Sequence, residues 1–345
     1  MISCIGHSII SPLAVGSTAN FEAILAGKTA SRLYADRFES VEPFYASLFE
    51  QPQSFVPLCI QSAGLAIEEA KIDPSKPSVV FIVSTTKGDN LDLLTLADAI
   101  AKHFGNPNQP IVVSNACTSG VCAQITAMRL LEAQQYETAI VIGCDIQSRF
   151  IVSGFQAFKA LSSEACRPFD AERKGLNLGE AAATIIWSSK YDATWHLTAG
   201  SIHNDANHLS APSRTGEGAY LCLQDVLANS DTQQVAFVGV HGTATLYNDE
   251  MESIALHRAN LDTLPICALK GYYGHTMGAA GVLETIIGML CVEQQILPAA
   301  KGYNSCGTSY PLCVSGEKQT IKGKQFVKML SGFGGTNAAI LLACE

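Results

Sequence analysis

Near-continuous apolar runs rich in β-branched residues recur along this chain: Ser78 to Ser84, Ile111 to Val113, Ala139 to Gly143, Ala182 to Trp187, Val235 to Val240, Pro265 to Ala268 and Ala338 to Ala343. A strand with one wet face alternates apolar and polar residues, so runs without alternation must be covered on both faces. Between several of them lie amphipathic helical patterns, Pro57 to Lys71, Leu91 to Phe104, Val121 to Gln134 and Ala280 to Gln295. Buried strands separated by covering helices predict a layered α/β fold. Asn20 to Leu25 predicts another helix, closed by Gly27 as its C-cap. No low-complexity stretch or long polar linker divides the 345 residues, and a hydrophobic content of 48% supports a large core.

A formal charge of −9 with only 15% charged residues argues against the clustered Lys and Arg of a nucleic-acid or anionic-membrane footprint. An acidic partner must therefore dock on a local basic patch. Twelve cysteines are scattered from Cys4 to Cys344, with no C-x-x-C and no paired Cys/His metal spacing. Such thiols are expected to be small buried hydrophobes of a reducing compartment, Cys117 excepted, and no metal is expected. The N-terminus lacks a basic region followed by a long apolar stretch, and no uninterrupted apolar segment reaches membrane-spanning length. These absences predict a cytoplasmic protein without a membrane span. Gly27-Lys28-Thr29 imitates the end of a phosphate-binding loop, but that loop needs glycine where the chain has Glu22, inside a helical pattern. No well-placed G-x-G-x-x-G follows a strand, so a dinucleotide cofactor has no support.

Five short segments carry the chemistry: Asn115 to Gly120 around Cys117, His241-Gly-Thr-Ala-Thr, Lys270, Gly274-His275-Thr276, and Gly332-Phe-Gly-Gly-Thr-Asn. Cys117 falls at a strand-to-helix junction, where the orphan amides and dipole of the helix start stabilise a thiolate and lower the thiol pKa. From the thiol alone a buried structural cysteine is the commoner reading, as Cys122 in the same helix illustrates. His241 comes just past a strand end, a place where α/β folds present catalytic groups and also structural histidines. Thr243 and Thr245 add hydroxyls suited to an amide-containing arm. Lys270, His275 and Glu284 follow one another at spacings of five and nine residues. A lone carboxylate on so apolar a helix needs a partner, and Lys270 is the natural one. The glycines around Phe333 permit a tight turn whose N–H groups face a ligand, though a plain hairpin would look the same. Together, one thiol that carries an acyl group and two donors that stabilise an adjacent enolate suit carbon–carbon bond formation from thioesters.

These segments, in this order, resemble the β-ketoacyl synthases, the decarboxylating condensing enzymes of fatty acid and polyketide assembly. The likeness extends through Gly6, Ser11-Pro12-Leu13, Gly154-Phe155, Ala160-Leu161-Ser162, Arg167-Pro168-Phe169-Asp170, Gly179-Glu180, Asn204-Asp205-Ala206 and Ala211-Pro212. It implies a thiolase-like fold: two βαβαβαββ halves, 1–188 with the nucleophile and 189–345 with the two histidines, in five α-β-α-β-α layers. It implies that Cys117 is acylated from an acyl carrier protein, that His241 and His275 assist malonyl decarboxylation, and that Lys270 and Glu284 organise the site. It further implies an oxyanion hole from the Cys117 and Phe333 amides, Phe333 as a gate, and Thr243 and Thr245 against the carrier's phosphopantetheine. Neither metal nor organic cofactor is implied, and the partners would be the carrier protein and a second subunit, in a homodimer or a ketosynthase heterodimer. Arg129, Lys159 and Lys174 are candidates for carrier docking. The first half is shorter than is usual in the family, so loops over the dimer interface and acyl pocket are expected to be trimmed. Leu176, Gly271 and Ser331 depart from the family's common Phe, Ser and aromatic residue, which bears on the acyl pocket. The stretch Asn204 to Gly218 is similar to synthases of aryl polyene and flexirubin-like pigment clusters. The rival functions are a chain-length-factor subunit, which typically lacks the nucleophile, and a decarboxylase or initiating condensing enzyme, which uses His and Asn. A thiolase would carry a second cysteine in the turn where this chain has Gly332-Phe333-Gly334.

Overall fold

In the computed structural model, which describes residues 1–209 and 211–345, ten strands form one large sheet made of two equivalent fives. The first five are β1 (Ser3–Ile10), β2 (Val79–Ser84), β3 (Ile111–Val113), β4 (Thr138–Asp145) and β5 (Ala181–Ser188). The second five are β6 (Trp195–Asn204), β7 (Val235–Gly239), β8 (Ile266–Cys267), β9 (Gln325–Gly332) and β10 (Thr336–Cys344). Their spatial orders, β3-β2-β4-β5-β1 and β8-β7-β9-β10-β6, are the same arrangement twice. In each, the strands at one end pair parallel and the others antiparallel. The two fives meet where Ser3 and Cys4 of β1 pair with His196 and Trp195 of β6.

The helices are α1 (Ser17–Leu25), α2 (Phe55–Ala70), α3 (Leu93–His103), α4 (Ser119–Glu132), α5 (Arg149–Ala157), α6 (Glu217–Leu227), α7 (Leu246–Arg258), the single turn α8 (Lys270–Tyr273) and α9 (Ala280–Gln294). Side-chain alternation along the strands assigns the layers. Phe81, Val83, Ile140 and Ile142 pack outward with α2 and α3. Their neighbours Val80, Ile82, Ala139 and Val141 point inward to Val121 and Ile125 of α4, Val282 and Ile286 of α9, and Phe237, Phe326 and Ile340 of the second five. On the far side Val238, Val327, Met329 and Leu341 meet α6 and α7. Two helix layers outside, two sheets, and α4 with α9 between them make the five layers of the thiolase-like fold. Glycine permits the central crossing: a Cβ on Gly281 would lie 2.3 Å from the Val121 backbone N, and one on Gly120 would lie 2.9 Å from Gly281.

The apolar runs became β2, β3, β4, β5, β7, β8 and β10, with ends moved by a residue or two. Strands β1 and β6 had no such pattern because they carry Gly6, His7, Thr198, Gly200 and His203 among their apolar residues. Gly6 lets α2 lie directly on the sheet, since a Cβ there would be 2.6 Å from the Ala66 carbonyl oxygen. Helix α7 was also missed, because the buried Asp249 and Glu252 interrupt any apolar stripe. No uninterrupted apolar segment was expected to reach membrane-spanning length, and the helical stretch that comes nearest to one carries Glu284 and Glu293. That stretch, Met277–Gln294, has the length and hydropathy, but 89% of it is buried inside the protein. It is the central core helix, apolar because both sheets enclose it. Helix α1 starts earlier than expected, at Ser17, and ends as predicted before Gly27 at φ +72°. Thr29 of the phosphate-loop look-alike donates to the Tyr272 carbonyl at 2.9 Å. The stretch Asn204 to Gly218 contains residue 210, which lies outside the described residues.

Candidate active site

Cys117 stands between β3 and α4, at the end of a strained turn. Ala116 before it has φ +46°, a left-handed conformation that costs a non-glycine residue free energy and persists only where its surroundings impose it. Two hydroxyls impose it here. Ser119 accepts from the Asn115 N–H at 2.7 Å and donates to the Ala116 carbonyl at 2.6 Å, and Thr118 donates to the Asn115 carbonyl at 2.7 Å. The turn after β9 closes over the thiol: Gly332 pairs with Thr336 across a loop of Phe333, Gly334 and Gly335, whose glycines take φ +89° and +79°. The backbone N–H groups of Phe333 and Cys117 lie near enough to the sulfur to favour its charged form. The Phe333 ring stacks on Phe155 at 5.6 Å and meets Phe158 edge-on at 5.5 Å.

His275 is held through its backbone. Its N–H donates to the Asn177 carbonyl at 2.6 Å, and its own carbonyl accepts from the Gly179 N–H at 3.0 Å. Gly274 at φ +66° makes this approach possible, because a Cβ there would collide with the Leu178 carbonyl at 2.1 Å. Nδ1 of His275 accepts from the Met277 N–H at 3.3 Å, which places the ring proton on Nε2. Among the described residues neither that Nε2 nor Nδ1 of His241, both buried, has a hydrogen-bond partner. The two imidazoles cross nearly perpendicular with centroids 5.0 Å apart. Cys117, His241 and His275 each place a ligand atom within 4.8 Å of the other two. Their exposures of 5%, 4% and 1% exclude bulk water.

Lys270 and Glu284 meet at 2.8 Å, and the same ammonium donates to the His241 carbonyl at 2.6 Å. Three further charged groups escaped the sequence reading. Lys328 of β9 binds the other oxygen of Glu284, and it donates to the Val240 carbonyl at 2.8 Å. Glu252 of α7 accepts from the His241 and Gly242 amides at 2.6 and 2.7 Å. Asp249 accepts from the amides of Thr243, Ala244 and Phe169. The charged residues at i and i+3 on α7 thus bind the loop that presents His241. Only a spacing of eight and eleven residues from His241 marks them in the sequence.

Burial and the neighbouring Lys270 hold both imidazoles well below the usual histidine range, so they are neutral hydrogen-bond donors at neutral pH. Burial pushes Glu284 up, but Lys270 and Lys328 outweigh it and keep the carboxyl below its ordinary range. Burial raises Glu252 to about 7, with Asp249 adding to the effect, and raises Asp249 to about 6. The expected depression of the Cys117 thiol is not met. Burial pushes it up to about 11, against the pull of Lys270 and the Phe333 amide. Desolvation outweighs the helix start because Cys117 lies two residues before α4, in a closed site.

A cavity of about 240 Å³ leads from Cys117, His241 and His275 past Phe155, Phe158 and Phe333. Thr243, Thr245, Lys159, Lys174, Leu176 and Ser331 also line it. The two threonine hydroxyls hydrogen-bond each other at 2.9 Å. Gly271 lies elsewhere, against Lys301, where a Cβ would be 2.8 Å from the Lys301 Cβ. Of the three departures only Leu176 and Ser331 therefore shape the pocket. Arg129, exposed on α4, does not line the cavity. An enclosed thiol, two neutral imidazoles and two convergent backbone N–H groups together can hold an acyl group and an adjacent enolate oxygen.

Residues 94–193 match the β-ketoacyl synthase N-terminal domain family and residues 196–304 the β-ketoacyl synthase C-terminal domain family. The chain is 30% identical over 306 residues to 3-oxoacyl-[acyl-carrier-protein] synthase 2 of Rhizobium meliloti, covering 82% of this chain and 70% of that one. It is 29% identical over 290 residues to the corresponding synthase of Coxiella burnetii, covering 78% and 69%. Among solved structures, a ketosynthase in complex with its chain length factor from Xenorhabdus doucetiae superposes with a TM-score of 0.90 at 22% identity, covering 100% of this chain and 98% of that one. A β-ketoacyl synthase from Burkholderia phymatum gives 0.91 at 20% identity, covering 100% and 99%.

Proposed function

Because this chain belongs to the β-ketoacyl synthase family and is an acyltransferase of the 3-oxoacyl-[acyl carrier protein] synthase kind, we propose that its condensation runs through Cys117, His241 and His275. The observation that carries this assignment is the convergence of the thiol and two neutral imidazoles within 4.8 Å, beneath two backbone N–H donors.

Cys117 attacks the thioester of an acyl carrier protein. The phosphopantetheine thiolate leaves with the proton that the cysteine gives up. The transient oxyanion is met by the Cys117 and Phe333 amides, fixed in place and shielded from water, where such donors act most strongly. The Phe333 ring, held between Phe155 and Phe158, gates the passage. Malonyl carrier protein then enters along Thr243 and Thr245. Its carbon–carboxylate bond breaks, carbon dioxide departs, and the electron pair moves onto the thioester enolate, whose oxygen accepts from His241 and His275. The enolate carbon attacks the acyl carbonyl on Cys117, and the cysteine thiolate leaves, giving a β-ketoacyl carrier protein two carbons longer. Lys270 and Glu284 keep the His241 carbonyl and the start of α9 in register. Cys117 and the two imidazoles, converging within 4.8 Å, are read as a nucleophile with two donors. The proposed chemistry needs no cofactor beyond the carrier's phosphopantetheine.

The two halves divide the work, 1–188 supplying Cys117 and 189–345 the histidines. The protein is cytoplasmic on this reading, docks its carrier near Lys159 and Lys174 at the cavity, and pairs with a second subunit, identical or chain-length-factor-like. The intact Cys117 favours the catalytic role over that of the partner subunit. Intact-protein mass spectrometry of wild type and Cys117→Ala tests it, using a panel of acyl carrier thioesters followed by malonyl carrier protein. Acylation confined to the wild type and discharged by malonyl carrier protein is the expected result. No acylation by any donor would overturn it in favour of the partner-subunit role.

A further inference from the structure

Glu284 faces two buried ammonium groups, one more cation than the chemistry proposed above uses. Lys328, 1% exposed in the middle of β9, binds one carboxylate oxygen while Lys270 binds the other. Lys328 also donates to the carbonyls of Val240 at 2.8 Å and Gly239 at 3.3 Å, and Lys270 donates to that of His241. Three successive carbonyls at the end of β7 are thus held by two lysines that share one carboxylate. Lys328 stands five residues before Phe333, on the strand that leads into the gating turn.

We propose that Lys328 is a positioning residue for the condensation: it fixes the backbone presenting His241 and supplies the surplus positive charge that keeps both imidazoles neutral donors. The proposal rests on the function assigned above. The charged and titratable groups around the imidazoles are Lys270 of α8, Lys328 of β9, Glu284 of α9, Asp249 and Glu252 of α7, Arg173 beside Asp249, Asp145 at the Gly278 amide, Cys166 at the Thr243 carbonyl, and Cys117. Lys270 and Lys328 against Glu284 leave one net positive charge in that pair of contacts. Asp249 has Arg173 at 3.9 Å, and Glu252 is committed to two amides. Loss of Lys328 therefore removes the surplus and lets the imidazoles protonate more readily. An imidazolium at His275 would turn an Nδ1–H toward the Met277 N–H, two donors facing each other, and rotate the ring out of its place.

The test compares Lys328→Met, without charge or donor, and Lys328→Gln, without charge but with a donor. Malonyl decarboxylation is followed from pH 5 to 9, Cys117 acylation by mass, and folding by circular dichroism. A unit charge roughly 10 Å away at an effective dielectric of about 20 moves a pKa by about one unit. Both variants are expected to acylate Cys117, to show the acid limb of decarboxylation about one pH unit higher, and to lose activity, at least about tenfold for Met and less for Gln. A folded variant with the wild-type acid limb would overturn the proposal, even if its melting temperature fell, because packing loss alone does not move a titration. Should Lys328→Met not fold, the Gln variant carries the same decision. Failure of the wild type itself to acylate would instead strike at the assigned function.

Discussion

Replacing Glu284 with Gln is expected to destabilise the protein most at neutral pH and less as the pH rises. In the wild type both carboxylate oxygens are occupied by buried ammonium groups at Lys270 and Lys328, and all three side chains are at most 5% exposed. Glutamine keeps the shape but leaves the lysines facing each other without a counter-charge. Stripping one partner from a buried ion pair costs about 3–5 kcal/mol. With an unfolding entropy of about 2.1 cal/mol/K per residue over this length, roughly 0.7 kcal/mol/K, the melting temperature should fall by about 4–7 °C at pH 7. Burial already lowers Lys328 below the ordinary lysine range, and Glu284, with a smaller contribution from Glu252, opposes that fall. Without Glu284 the folded state releases that proton at lower pH, while the unfolded chain keeps it to about pH 10.4. The unfolded state then binds more protons, so stability of the variant rises with pH, by up to about 1.4 kcal/mol per unit for one proton. The sign is the same for the wild-type carboxyl, whose depressed pKa contributes stability that is present above its unfolded value of 4.5 and lost as the pH falls through the folded value, well below the range tested. Thermal denaturation of both proteins at pH 7, 8 and 9 measures the gap, which should narrow. A loss below about 1 kcal/mol, or one constant across that range, would refute the view that unpaired buried charge is the cause. Pairing the substitution with Lys328→Met should recover part of the loss, because one uncompensated ammonium is gone.

Three further outcomes follow from the same geometry. His275→Ala should still accept an acyl group on Cys117 yet decarboxylate malonyl carrier protein about 10²–10³-fold more slowly, the usual cost of one lost oxyanion donor; unchanged decarboxylation would remove His275 from that role. Iodoacetamide labelling of Cys117 in the resting enzyme should climb steadily from pH 7 to 10, since burial raises the thiol to about 11; a plateau below pH 8 would show a thiolate already present. Gly281→Ala places a methyl 2.3 Å from the Val121 backbone N and should cost about 1–3 kcal/mol or more while moving α4 and its cysteine, so both the melting temperature and the acylation rate should drop. Wild-type values for both would contradict the close crossing of α4 and α9.

Strands β2, β3, β4, β5, β7, β8 and β10 were legible as apolar runs because burial on both faces removes alternation, and the glycine-rich turn over Cys117 was legible because its two φ values above +75° favour glycine. Cys117, His241, Lys270, His275 and Phe333 stood out for the same local reason: each sits at a strand end or tight turn whose neighbours are small or glycine. Strands β1 and β6 were not legible, since Gly6 and Gly200 serve close approach to α2 and α4, Thr198 bonds the Leu341 carbonyl of β10 and His203 bonds Asp225 of α6, none of which makes a pattern along the strand.

What the sequence by itself determined was the doubly buried strands, five of the helices around them, and the chemical types gathered for a thioester reaction, because these depend on residues close together in the chain. What only the tertiary structure decided was the electrostatics. Lys328 lies 44 residues from Glu284 and 88 from Val240, and nothing local distinguishes it from any other lysine until those partners close around it. The same holds for the Cys117 thiol, where the start of α4 argued for a lowered pKa and enclosure from several directions raised it. Pairing and desolvation of charge arise only when distant segments exclude water together, so they belong to the folded molecule and not to any segment of its chain.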